Sequence, residues 1–293
     1  MCHRWLWLLA SALAIRAQTP EQRAIDYLRV EVPRWSRENG CFSCHNNGDA
    51  ARALFAARDH GMKVPREALA DTLGWLSRPA VWQENKGNPA FSDKKLARLQ
   101  FAAALADAGV DARALREAAE QIVAEQEADG SWIVDASTPA GSPVTWGTAL
   151  ATFLTRQTLE RAGGAPESVA KATAWLQRLT PSNVPEAAVK LMAIPDAGTA
   201  QKMLLDAQSP SDGGWGPIRG APSEVFDTAL TMLALRNARF AGDAVGRGRK
   251  FLIATQLRDG GWPGTTRPTG GQSYAQHIST TGWAAIALIL TKP

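Results

Sequence analysis

The chain has 293 residues, 45% of them hydrophobic and 20% charged, with 32 basic against 28 acidic side chains. That length suits one large domain, or one closed repeat array, with an ample core. The arginines are scattered among acids, so neither nucleic acid nor an anionic membrane is implied as a partner.

A basic start, Met1 to Arg4, runs into an apolar stretch from Trp5 to Ile15 and then into small residues ending at Ala14 or Ala17. This order of features is that of a secretory signal peptide, and a buried N-terminal helix is the alternative reading. Residues 1–17 are therefore expected to be removed on export to the periplasm or the cell exterior, leaving residues 18–293 as a single repeat domain. The apolar stretch is too short to span a bilayer, and no other stretch is long and apolar enough, so no transmembrane segment is expected in the mature chain. Cleavage takes Arg4, Arg16 and Cys2 with it. Charge is then nearly balanced, and Cys41 and Cys44 are the cysteines that remain.

Along the mature chain, apolar helical patterns at 25–32 and 50–57 form a first hairpin, and those at 69–76 and 96–106 a second. Three further hairpins share a phrase that ends in tryptophan: Gln126 to Trp132, Gln208 to Trp215 and Gln256 to Trp262. Each phrase follows an outer helical pattern (118–124, 200–207, 249–255) and precedes a small-residue inner one (146–154, 227–235, 281–290). Between them, 169–179 and 185–192 read as a shortened hairpin without the phrase. The total is about six hairpins at the forty-odd-residue period of paired-helix repeats. Asp-Gly and Gly-Gly in the phrase allow the chain to leave a helix abruptly. Gln and Asp are placed to satisfy helix-end backbone groups while Trp wedges between hairpins, which makes the tryptophans structural.

Gln-x-x-Asp-Gly-x-Trp resembles the tie motif of squalene and hopene cyclases, and Asp227-Thr228-Ala229-Leu230 and Ser279-Thr280-Thr281-Gly282-Trp283 resemble inner-helix starts of those proteins. The resemblance extends to protein prenyltransferases and covers nearly the whole mature chain. It implies an all-α fold, an α/α toroid, around an apolar cavity that takes an isoprenoid or another apolar small molecule. The cyclases donate a proton from the middle acid of an Asp-x-Asp-Asp motif just before Thr-Ala. Here the stretch reads Glu224-Val225-Phe226-Asp227, and the acid position is Phe226, which has no proton to give. Two readings of Asp227 stand: a catalytic acid in an apolar cavity, or a cap on helix-start amides. Prenyltransferases hold zinc with Asp, Cys and His at inner-helix starts; Asp227 and His277 match two of these, but no cysteine closely follows Asp227.

The sharpest local motif is Cys41-Phe42-Ser43-Cys44-His45, a Cys-x-x-Cys-His. Its spacing suits two thiols adding to the vinyl groups of a haem while His45 takes the iron, and export agrees with covalent haem c. Zinc held by Cys41, Cys44, His45 and a fourth ligand is an alternative, as is a Cys41–Cys44 disulfide. By repeat alignment the motif replaces the tie of the first hairpin, at one mouth of the ring. Ring closure sets the last hairpin beside the first, which makes His277 the candidate second axial or fourth metal ligand, with a hydrogen-bonded surface histidine as the alternative. His60 and Met62 fall past the first inner helix, towards the other mouth. Neither a phosphate-cradling glycine loop nor a Gly-x-Ser-x-Gly elbow is present. Three functions follow: a haem-bearing electron carrier or ligand sensor with a redox partner, an isoprenoid cyclase or transferase-like enzyme, and a silent scaffold.

Overall fold

The computed structural model describes residues 18–86, 93–134, 140–267, 270–271 and 273–293. The expected signal peptide lies outside the described residues. The described residues contain no strand beyond one isolated bridge between Trp215 and Glu224. No described helix is long and apolar enough to cross a membrane.

Six outer and six inner segments alternate. The outer helices are α1 (Pro20–Asn39), α3 (Ala70–Leu76), α5 (Ala112–Val123), α7 (Pro166–Arg178), α9 (Gly198–Ala207) and α11 (Ala244–Thr255). The inner helices are α2 (Ala51–Asp59), α4 (Lys94–Ala108), α6 (Gly147–Ala162), α8 (Val184–Ala193), α10 (Val225–Asn237) and α12 (Tyr274–Leu290). The inner helices are rich in alanine and threonine, which lets their backbones approach closely, and most of the α10 and α12 residues are buried. Each inner helix packs on the next, and α12 packs back on α2, so the ring is closed.

The tryptophan phrases are the fasteners of this ring. The Trp132, Trp215 and Trp262 indoles donate to the carbonyls of Ile122, Leu204 and Leu252 in the preceding outer helix, at 2.7–2.8 Å. Their backbone amides donate to the hydroxyls of Thr152, Thr228 and Thr281 in the following inner helix. Gln126, Gln208 and Gln256 each donate across to the start of the next outer helix, at the carbonyls of Ser168, Ala244 and Pro20. The last of these joins residue 256 to residue 20 and closes the circle. Gly260 shows why the phrase needs glycine: its φ is +100°, and a β-carbon there would lie 2.3 Å from the Arg23 carbonyl oxygen. A Glu21–Arg249 ion pair at 2.6 Å, with Glu21 buried, strengthens the same seam.

Candidate functional site

The first hairpin lacks a tryptophan tie, and its connection is built differently. Helix α1 ends on Gly40, which adopts the left-handed conformation and donates its amide to the Ser36 carbonyl. Ser43 then caps a π-helical turn, Cys44–Ala50, accepting from the amides of His45 and Asn46. Such turns are rare and cluster at functional sites. Asn46 and Asn47 donate to the carbonyls of Glu31 and Val32 in α1, as the indoles do elsewhere. Asn46 also donates to the Tyr274 hydroxyl of α12 at 2.8 Å, and Asn47 to Thr72 of α3 at 2.8 Å. The turn thereby touches both neighbouring hairpins.

Cys41 and Cys44 stand partly buried as free thiols. Burial pushes the Cys44 thiol up to about 12, and the charge of Asp49 adds to the effect, so the thiol stays protonated. Phe42 stacks on Trp75 with ring centroids 4.5 Å apart. Desolvation pushes the His45 imidazole down to about 4, so the ring is neutral near pH 7. Its Nδ1 meets the Ser279 hydroxyl of α12 at 3.2 Å. The same hydroxyl lies close enough to Asp49 to oppose the rise of its carboxyl. A neutral imidazole carries one N–H and one lone pair, and the Ser279 hydroxyl can serve either at Nδ1. The Nε2 of His45 has no hydrogen-bond partner among the described residues.

Asp49 occupies the centre of this mouth. It accepts from Gln100 of α4 at 3.0 Å and from the Trp146 indole at 3.2 and 3.3 Å. Burial pushes its carboxyl up to about 7, against the opposing pull of Arg52, Ser279 and Trp146. Trp146 holds its place at φ +61°, a conformation that costs a non-glycine residue energy. Gly141 packs beneath it, where a β-carbon would meet the Trp146 carbonyl oxygen at 2.2 Å.

Asp227 lies elsewhere on the same mouth. It caps no amides; α10 begins at Val225 with no side-chain cap, and the Asp227 carboxylate pairs with Arg267. Arg267 also reaches Glu224 at 3.1 Å and the Gly141 carbonyl at 2.5 Å. Burial raises the Asp227 carboxyl above the ordinary range and Glu224 adds to this, while Arg267 opposes it. Phe226, at the cyclase acid position, is fully buried, edge-on to Trp283 at 5.7 Å.

Ring closure does bring α12 onto His45, but through Ser279 and not through His277. Two residues apart on an α-helix means about 200° of rotation, so His277 points to the other side. There it packs edge-on to Tyr27 at 5.7 Å and against Gly261. The helix begins at Tyr274, earlier than the sequence pattern indicates, and this sets the rotation. His60 lines the opposite mouth and bonds the Ala56 carbonyl, while Met62 packs on the core. No cluster of three or more His, Cys, Asp or Glu side chains able to hold a metal occurs among the described residues. Residues that the sequence reading missed are Arg267, hidden in a Gly/Pro-rich loop, and Asp49, Gln100 and Trp146, which meet only when the ring closes.

No family model matches the chain, and no curated protein matches it. Among solved structures it is similar to a glycosidase variant in complex with glucose, with a TM-score of 0.59 over 92% of this chain and 97% of that one. The two are 11% identical, so the likeness carries the fold and not the chemistry. The chain is an all-helical ring of the α/α toroid type.

Proposed function

We propose that this toroid is an exported carrier of covalent haem c, held at the mouth of the ring and acting in electron transfer or in binding a small ligand. The observation that carries the reading is His45: its Nδ1 is held by Ser279 and its Nε2 has no partner among the described residues, beside two free thiols three residues apart. A metal-bound histidine commonly has its second ring nitrogen held in this way while the other nitrogen binds. The donor set therefore fits the group. Cys41 and Cys44 would hold the porphyrin through thioethers and His45 Nε2 would take the iron. When bound, haem supplies one-electron transfer or a ligand site at iron.

The chain's own part is positional. Ser43 fixes the start of the turn, Asn46 and Asn47 anchor it to α1, and Ser279 sets the imidazole plane. His277, behind α12, is not in the proposed ligand set. No observation favours the isoprenoid-enzyme alternative, because Asp227 is engaged by Arg267 and does not line the central cavity.

The test is a visible spectrum of mature protein exported from a host with haem-attachment machinery, taken after denaturation and organic extraction. Colour that stays with the chain, and is lost in a C41A/C44A double variant, is expected. A colourless chain that contains zinc by elemental analysis would overturn the haem reading in favour of the metal alternative.

A further inference from the structure

On the haem reading above, the choice between an electron carrier and a ligand binder turns on what the chain sets opposite His45. Electron-carrying c-type haems are commonly closed by protein on both faces, with methionine opposite the histidine, whereas a single histidine leaves one face open to an outside ligand. Two ligands of one iron stand about 4 Å apart, twice a metal–nitrogen bond. The chain has four histidines and five methionines, so every candidate can be placed. Met1 and His3 fall in the stretch expected to be cleaved on export. Residues 87–92, 135–139, 268–269 and 272, outside the described segments, contain no histidine, methionine, cysteine, lysine or tyrosine.

The remaining candidates all stand away from the turn. His277 is aimed elsewhere by the rotation of α12, and that rotation is locked: Thr281 accepts from the Trp262 amide and Thr280 from the Thr265 amide, each at 3.0 Å. Its ring packs on Tyr27, and a β-carbon at Gly261 would come within 3.0 Å of its Nε2. His60 ends the helical run that starts beside His45, about 20 Å along it at 1.5 Å per residue. Met62 lies just beyond it, and Met192, in the last turn of α8, lines the same opposite mouth as His60. Met203 belongs to the outer helix α9, and Met232 is fully buried in α10 against Gly248. The sixth hairpin separates both from the first. Tyr274 does stand near the turn, but its hydroxyl donates to Glu31 at 2.9 Å and accepts from Asn46 at 2.8 Å. A lysine ligates only as the free amine, which alkaline solution favours.

We propose that His45 is the one iron ligand this fold supplies, and that the opposite face is kept for a small neutral diatomic molecule. The chain is then a binder of such a molecule, not a carrier whose haem is closed on both faces. Neutrality follows from charge. Ferrous iron within the porphyrin dianion carries no net charge, and a neutral ligand adds none beside a half-buried turn, where charge is costly. The ties that fix α12 in the ring also keep His277 from swinging in to compete.

The test uses the unaltered mature chain, exported with its haem: electron paramagnetic resonance of the oxidised form, then visible titration with carbon monoxide after reduction by dithionite. A high-spin ferric signal and uptake of one carbon monoxide per haem are expected, and both should persist in His277→Ala and Met62→Ala. A low-spin ferric signal, or a reduced spectrum that carbon monoxide does not alter, would mean that the chain closes the second face; it would overturn the proposal while leaving covalent haem in place. A signal that changes from low to high spin in His277→Ala would name the second ligand and overturn it equally. A chain without covalent colour would fail the haem reading itself, and this proposal with it.

Discussion

Around Trp262 the indole, the Gln256 amide and the Asp259 carboxylate each hold a backbone group of the turn or of a neighbouring helix. Around His45 the same anchoring falls to Asn46 and Asn47, while Cys41, Cys44 and the Nε2 of His45 have no side-chain partner among the described residues. One turn uses its side chains to hold the fold, and the other delegates that work to its neighbours and keeps reactive groups in hand. The carboxylates differ in the same way. Asp129 in the first tie is held below the usual range by the Ser131 hydroxyl and amide, whereas burial pushes Asp49 up to about 7. A tie stabilises its charge; the mouth of the ring carries a charge that the fold disfavours.

The comparison breaks most readily at a tie. Trp262→Ala removes a fully buried indole and its bond to Leu252, and the expected loss is about 3–5 kcal/mol in chemical denaturation. A loss below about 1 kcal/mol would mean that the phrase does not fasten the ring. Asp49 gives the next effect, through pH. Its folded-state value is raised from 3.8 to about 7, so its contribution is fully present below about pH 4 and falls as pH rises towards 7. Wild type should therefore lose on the order of a few kcal/mol across that range relative to Asp49→Asn, whose denaturation curves should lack this slope. Parallel pH profiles for the two proteins would refute a buried, disfavoured charge. The smallest effect belongs to Cys41. It makes no fold-defining bond and is half-buried, so Cys41→Ala should change the stability of the haem-free chain by less than about 1 kcal/mol.

Much of the ring was legible in sequence because the ties repeat. Asp-Gly and Trp recur at a fixed offset with Gln three or four residues before the Asp, and each performs the same bonds in each copy. The first hairpin was legible only as an exception. Nothing in the local pattern of Cys44–Ala50 distinguishes a π-helical turn from an α-helical start, because the difference depends on Asn46 and Asn47 finding α1 carbonyls. His277 was set on the wrong side for a related reason. A helix drawn from the apolar residues at 281 onward misses the polar first turn capped by Ser273, and with it the rotation that selects Ser279. Asp227 met a partner forty residues away, in a loop with no periodicity to read.

The bond from Gln256 to Pro20 has a consequence for how the molecule comes apart. A linear stack of hairpins frays from its terminal repeats, each of which has one neighbour only. In this ring every hairpin is flanked on both sides, so none can peel away without tearing two interfaces at once. Deuterium should then enter the inner-helix amides together, at a rate set by rupture of the whole circle, with no gradient running inward from either end.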